Sequence, residues 1–238
     1  DNIIKAIPEN KTLQYEYLFG SWEYDSLVDG NKVPAQGHLL YRGGDLYDLA
    51  NEDKDQFGYE KTIFLLLFGH RPNEEEFKEF RDLLTDNYEL PEGFIESVIM
   101  KNASKDIMNS IQKSILSLYS FDDDPDCQEP VELIKKGISI IAKMPAIVAY
   151  SYQAKKYYLD KKTFHICPVD KSLSLAESML YMARGGKPFS YTEADSLDTA
   201  FITHADHGGG NNSAFTGIVV SSTSTDIYSD ITASLCSL

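Results

Sequence analysis

The hydrophobic positions of this chain recur mostly at helical spacing. The stretch from Tyr59 to Phe68 is apolar on nearly every side, so we expect a buried helix that stops at Gly69 and Pro72. Other segments have a single apolar face, which is typical of amphipathic helices packed on a core. One such row, with residues three or four apart, consists of Ile107, Ile111, Ile115 and Leu118.

Further helices follow from capping and breaking residues. Asn73 before three glutamates predicts a helix start, because a side-chain oxygen and negative charge both satisfy the first N–H groups of a helix. A long apolar pattern runs over residues 131–158, and Pro145 inside it predicts a kink or a break. The remaining predicted helices cover Ser172 to Ala183, Asp195 or Ser196 to Thr203, Phe215 to Val220 and Ile227 to Leu235, with glycines 208–210 opening the end of the third.

Strand signals are confined to the first fifth of the chain. The Asp29-Gly30 pair within residues 28–34 predicts a hairpin, and residues 37–41 read as one more short strand in what we expect to be the only sheet. Residues 1–27 have no clear period and are predicted to be an N-terminal extension. The predicted fold is therefore one all-α domain over residues 28–238 with a small N-terminal β-hairpin.

Composition narrows the class of ligand. The 22 Lys and Arg residues against 37 Asp and Glu give a formal net charge of −15, which repels nucleic acid and anionic membranes. Cys127, Cys167 and Cys236 are widely spaced and odd in number, which favours a reducing, cytoplasmic setting over a disulfide framework. The sequence shows neither a membrane-spanning run nor a signal peptide. An anionic ligand would need a local source of positive potential.

The candidate chemistry lies in residues 203–213, which combine His204, Asp206 and His207 with a glycine run and Asn211. Histidine changes charge near neutral pH, and glycine lets the backbone approach a ligand closely. The stretch lacks the spacing of a zinc site, the G-x-S-x-G of a hydrolase and the Lys of a phosphate-binding loop. Two interpretations remain: an interior histidine beside a glycine helix terminator, or a site for a small dicarboxylate whose carbonyl is polarised by imidazole and amide donors.

The acidic run of residues 122–126 lacks the central glycine and the distal Glu of a calcium loop, so it is interpreted as a solvated connection and no metal site is expected.

Residues 203–216 resemble the H-A-D-H…N-x-S-x-F segment of the citrate synthase family. Four more segments resemble family elements in the same order, so the resemblance covers about residues 28–238: residues 37–46 (L-x-Y-R-G-Y-x-I), 57–72 (F-E-E-x…L-L-x-G-x-L-P), 142–149 (A-K-x-P-T-I-x-A) and 219–229 (V-x-S-T-x-S-D-P-Y). The resemblance implies condensation of acetyl-CoA with oxaloacetate to citrate and CoA, an all-α fold, a homodimer and no cofactor beyond acetyl-CoA as substrate.

By that resemblance, His207 and Asn211 are expected to contact oxaloacetate, and His204 to support the site. Arg42 matches a motif arginine without an assigned substrate role. The family's enol-stabilising His, its carbonyl-polarising His, its general-base Asp and its carboxylate-binding arginines match no residue of this chain. We therefore expect an N-terminal portion of a citrate synthase, with no catalytic residue of its own and inactive alone. The alternatives are a 2-methylcitrate synthase, which uses propionyl-CoA, and a non-catalytic helical binding protein with a vestigial dicarboxylate site.

Overall fold

The structure is a computed structural model that describes residues 21–22, 25–28, 31–34, 39–52, 57–206 and 211–238. Its strands are β1 (Ser21–Trp22), β2 (Asp25–Val28), β3 (Asn31–Pro34), β4 (Leu39–Tyr41) and β5 (Gly44–Asp45). Its α-helices are α1 (Leu46–Glu52), α2 (Gly58–Phe68), α3 (Glu74–Asp86), α4 (Ile107–Leu118), α5 (Pro130–Asp160), α6 (Leu175–Ala183), α7 (Tyr191–Thr203), α8 (Asn212–Ser221) and α9 (Ile227–Cys236). A π-helical turn spans Ile95–Met100 and a 3₁₀ turn Tyr119–Phe121. The all-α prediction is confirmed.

The strands form two small antiparallel sheets, where the sequence pattern predicted one. The predicted hairpin is β2–β3, paired from Asp25 with Pro34 to Val28 with Asn31. The second sheet has the order β1-β4-β5. Its tight β4–β5 turn was not predicted, because its first residue is Arg42, at φ +50°, where such turns favour Asn, Asp or Gly.

The helix ends of the first half follow the predicted signals. Gly69 ends α2 at φ +82°, and its N–H donates to the Leu65 carbonyl. Asn73 caps α3 by accepting from the N–H groups of Glu75 and Glu76, and the Glu76 carboxylate returns to the Asn73 N–H at 2.9 Å.

Helix α5 is continuous through Pro145 over 31 residues, so the predicted break is wrong. Proline removes one N–H from the helical hydrogen-bond series, a local cost that packing on neighbouring turns offsets. Ala142, Ala146 and Ile147 beside it are each buried.

The N-cap of helix α7 lies five or six residues before the predicted one. Ser190 is its N-cap and forms a capping box with Glu193, whereas Asp195 and Ser196 lie inside the helix. The helix ends at Thr203, ahead of the glycines expected to end it, and residues 207–210 lie outside the described part of the chain.

Among the described residues, three hydrophobic clusters make up the core, and helices α2, α5 and α6 each belong to two of them. Helix α5 contributes Ile140 and Ile147 to the first cluster and Ile138 to the second. Helix α2 contributes Phe64 to the second cluster and Leu65 to the third, which also holds Tyr41 and Ile202. No helix within the described residues is long and apolar enough to cross a membrane.

Candidate functional site

The predicted substrate turn connects α7 to α8. His204 follows the last residue of α7 and is exposed, while Asn211 is the N-cap of α8. His207, the first residue assigned to substrate by resemblance, lies outside the described residues, so its contact with substrate stays a prediction. The structure therefore describes both sides of the turn, from His204 to Asp206 and from Asn211 onward.

His204 is held by the last turn of its own helix. Its ring Nδ1 lies 2.8 Å from the Ala200 carbonyl oxygen and 3.1 Å from Thr203 Oγ1. Because a carbonyl oxygen only accepts, this geometry assigns the ring hydrogen of the neutral form to Nδ1 and leaves Nε2 as the acceptor. The contact fixes the ring against α7, a geometry that suits the predicted supporting role.

Asn211 also caps helix α8, a role that was not predicted from the sequence. Its Oδ1 accepts from the N–H of Ser213 at 2.8 Å and of Ala214 at 3.4 Å, and from the Ser213 hydroxyl. Since this oxygen satisfies the first turn of α8, the Nδ2 hydrogens are the donors that Asn211 would offer a ligand. Capping and substrate contact are compatible, and substrate contact stays a prediction.

A cleft of about 510 Å³ opens beside the turn, between α8 and α9. Its lining includes His204, Asp206, Asn211, Ser213, Gly217, Asp230 and Ser234. The described lining contains no Lys or Arg. Burial, and secondarily the charge of Asp226, raise the pKa of Asp230, whose Oδ1 is buried without a hydrogen-bond partner in the described structure. This wall supplies amide, imidazole and hydroxyl groups, and its carboxylates are those of Asp206 and Asp230.

Tyr41 holds the base of the turn, although the sequence analysis gave it no role. Its ring is fully buried, and its hydroxyl contacts the main chain of Ile202 and Asp206. The only sequence signal was its place in the L-x-Y-R-G segment. A contact between residues 165 positions apart cannot be read from local pattern.

Arg42 also acts on main chain. Its Nε and Nη2 donate to the Leu66 carbonyl at 3.1 and 2.8 Å. These hydrogen bonds give Arg42 a structural role, and no substrate role was predicted for it.

The first carboxylate of the acidic loop at residues 122–126 contacts side chains of the same chain. Asp122 accepts from the Tyr228 hydroxyl at 2.7 Å and pairs with Lys136 at 2.8 Å. Within the described ranges, no three His, Cys, Asp or Glu side chains gather closely enough to hold a metal ion.

The family described as "Citrate synthase, C-terminal domain" matches residues 22–238. A citrate synthase of Haloferax volcanii is 31% identical over 218 residues, which cover 90% of this chain and 53% of that protein. A citrate/2-methylcitrate synthase of Bacillus subtilis is 28% identical over 84% of this chain and 50% of its own length. The chain thus spans about half the length of the curated relatives that it matches.

A solved structure with the same fold is the citrate synthase of Thermoplasma acidophilum in ternary complex with carboxymethyl coenzyme A and oxaloacetate. It aligns with a TM-score of 0.67 at 26% identity, over 92% of this chain and 53% of that one. The likeness in fold and the family match over residues 22–238 agree. The chain belongs to the citrate synthase family.

Proposed function

We propose that this chain is part of a citrate synthase, which condenses acetyl-CoA with oxaloacetate and releases citrate and CoA. The observation that carries the proposal is the family match over residues 22–238, which includes the predicted substrate turn. The relative from Thermoplasma acidophilum, whose structure holds oxaloacetate and a coenzyme A derivative, supports the same two substrates.

The described residues suit one side of an oxaloacetate site. The amide hydrogens of Asn211 are donors for a carboxylate or a ketone oxygen, and the family resemblance implies that the imidazole of His207 is a second donor. Asp206 and Asp230 in the same cleft repel a dianion, so the compensating positive charge must come from another side of the pocket. We propose that cationic residues outside the described part of the chain provide it.

The chemistry requires three steps with different demands. A base removes a methyl proton from the acyl thioester, a hydrogen-bond donor stabilises the developing enolate oxygen, and the enolate carbon attacks the polarised ketone of oxaloacetate. Hydrolysis of the resulting thioester releases CoA. In this scheme, residues 204–211 hold the ketone acceptor in place and perform no proton transfer.

The test is a thiol-release assay with oxaloacetate and acetyl-CoA on the complete gene product and on the 238-residue chain alone. We expect turnover by the complete product and none by the 238 residues. A complete product that releases no CoA from either acetyl-CoA or propionyl-CoA would contradict the proposal.

A second candidate is supported by the relative named citrate/2-methylcitrate synthase. That enzyme class condenses propionyl-CoA on the same scaffold, and one additional methylene changes binding by only about 1–3 kcal/mol. The ratio of kcat/KM for acetyl-CoA and propionyl-CoA distinguishes the two. If neither is used but oxaloacetate raises the melting temperature, the chain is a binding protein.

We further propose a cytoplasmic homodimer that needs no cofactor. The unpaired Cys127, Cys167 and Cys236 suit a reducing compartment. Helix α8 has no buried residue, and Phe215 and Val219 on it are exposed, which suits a helix covered by further protein. Acid–base and thioester chemistry supply the reaction without a metal or redox group.

A further inference from the structure

Tyr41 makes an unusual set of contacts for one hydroxyl group. Its Oη lies 3.0 Å from the carbonyl oxygens of both Ile202 and Asp206, and accepts from the Asp206 N–H at 3.2 Å. A phenol has one hydrogen and two lone pairs, so the hydrogen is shared between the two carbonyls while a lone pair receives the amide. One side chain thereby holds both main-chain polar groups of Asp206.

The support beneath Tyr41 is rigid. Strand β4 pairs with β5 through Tyr41 and Gly44, and the Arg42 guanidinium joins the same hairpin to the last turn of α2 at Leu66. Arg42 keeps a positive φ of 50°, a conformation that persists in a non-glycine residue when its surroundings hold it. The hydroxyl is therefore presented from a fixed position.

The contact lies where α7 ends. The Ile202 carbonyl belongs to the last turn of α7, where it also accepts from the Ala205 N–H at 3.3 Å, and Asp206 directly precedes His207 in the chain. Burial raises the pKa of Tyr41, so the group remains a neutral donor throughout the physiological range.

We propose that Tyr41 is a positioning residue for oxaloacetate binding: its hydroxyl fixes the main chain of Asp206, which lines the same cleft as His204 and Asn211. This inference rests on the proposed function. Tyr41 touches no substrate and acts through the main chain. Its loss should weaken binding of the dicarboxylate and leave binding of the acyl thioester little changed.

The chain offers a matched control. Tyr150 is also buried, and its hydroxyl donates to the Cys167 carbonyl at 3.2 Å and accepts from the Cys167 N–H at 3.1 Å. Tyr150→Phe therefore removes the same kind of contact, a hydroxyl on both polar groups of one residue, in a part of the fold that does not enter the 204–211 turn.

The experiment compares Tyr41→Phe and Tyr150→Phe in the complete gene product. We expect both variants to lower the melting temperature, but only Tyr41→Phe to raise KM for oxaloacetate, by about threefold to tenfold, the worth of one lost hydrogen bond. KM for acetyl-CoA should stay within about twofold. Equal increases in oxaloacetate KM for both variants, or none for Tyr41→Phe, would overturn the proposal.

A second measurement does not depend on activity. Hydrogen exchange of peptides covering residues 203–212 should be faster in Tyr41→Phe than in wild type, and unchanged in Tyr150→Phe. If wild type shows no turnover, the proposed function fails, and the exchange data still decide whether Tyr41 holds the turn. Unchanged exchange in an active Tyr41→Phe protein would remove Tyr41 from the site and leave the proposed function intact.

Discussion

Three buried side chains form hydrogen bonds with main-chain N–H and C=O groups that are distant in sequence. Tyr41 bonds both polar groups of Asp206, and Tyr150 does the same for Cys167. Gln153 accepts from the His165 N–H at 2.7 Å and donates to the His165 carbonyl at 3.0 Å. Each of these side chains bonds both the N–H and the C=O of one residue, as a neighbouring strand would in a sheet. These side chains let irregular connections lie against helices without unsatisfied main chain.

Two carboxylates, Glu60 of α2 and the half-buried Asp198 of α7, have raised pKa values. Glu60 is fully buried, accepts from the Leu175 N–H at 2.9 Å and pairs with Arg81 at 3.1 Å. Asp198 accepts from the Tyr59 N–H at 3.1 Å. Burial, with the neighbouring Asp198 charge, raises the pKa of Glu60 to about 7 despite Arg81, and burial raises the pKa of Asp198 to about 6. One oxygen of each carboxylate has no hydrogen-bond partner in the described structure.

This burial makes stability depend on pH. A carboxyl group whose pKa is raised on folding stabilises the protein below its unfolded pKa, and that contribution is lost as pH rises through the folded pKa. For Glu60 the window runs from 4.5 to about 7. We therefore expect Glu60→Gln, which cannot ionise, to gain on the order of 2 kcal/mol relative to wild type between pH 5 and pH 8. Thermal melts of both proteins at the two pH values give the difference.

Glu193→Gln is the matched control for that pH dependence. The pKa of Glu193 is lowered to about 2 by Arg184 and Ser190, so its window lies below pH 5. Its stability relative to wild type should be the same at pH 5 and pH 8. If the stability of Glu60→Gln relative to wild type is also the same at pH 5 and pH 8, the pKa of Glu60 is not raised on folding.

At the scale of elements, caps decide where helices begin. The Ser190 hydroxyl accepts from the Glu193 N–H at 3.3 Å, and the Glu193 carboxylate accepts from the Ser190 N–H at 2.8 Å. This Ser-x-x-Glu signal is present in the sequence, and it lies ahead of the start predicted at Asp195 or Ser196. When a helix has a weak apolar face, hydrophobic spacing does not reveal its first turn. The capping box then predicts the helix start better.

We expect Ser190→Ala to destabilise the protein by about 1 kcal/mol, because the first turn of α7 loses its side-chain acceptor. The melting temperature should fall by about 2–4 °C. Ser196→Ala in the same helix is the control, since Ser196 is exposed and the structure places it in the helix interior, where alanine is favoured. If Ser196→Ala lowers stability as much as Ser190→Ala does, the start of α7 predicted at Asp195 or Ser196 would be supported instead.

The whole molecule carries a formal charge of −15, with an isoelectric point of about 4.7. Like charges at this density repel one another in the compact state, and salt screens the repulsion. At pH 7.5 we expect the melting temperature to rise by about 2–5 °C between 10 and 300 mM NaCl. The increase should shrink at pH 5, where the net charge is small. A salt response that is equal at both pH values would show that repulsion does not limit stability.

Pattern predicted the larger architecture better than the site. Helices with strong amphipathic or apolar runs, such as α2 and α4, lie where spacing placed them, because the same contacts that bury a face set its period. Continuity of α5 through Pro145, burial of Glu60 and the hold of Tyr41 on Asp206 depend on partners distant in sequence. The composition of residues 203–213 marked them as a candidate site, and family resemblance implied their contact with oxaloacetate. The capping of α8 by Asn211 became visible only in the structure.

The helices that belong to two hydrophobic clusters have a consequence for how the protein unfolds. Helix α5 belongs to the first two hydrophobic clusters, and α2 belongs to the second and third. No cluster can therefore melt without exposing part of its neighbour, so the three behave as one cooperative unit. The support beneath the substrate turn consequently draws on the stability of the entire core, and a cavity made far from the turn loosens it through shared helices.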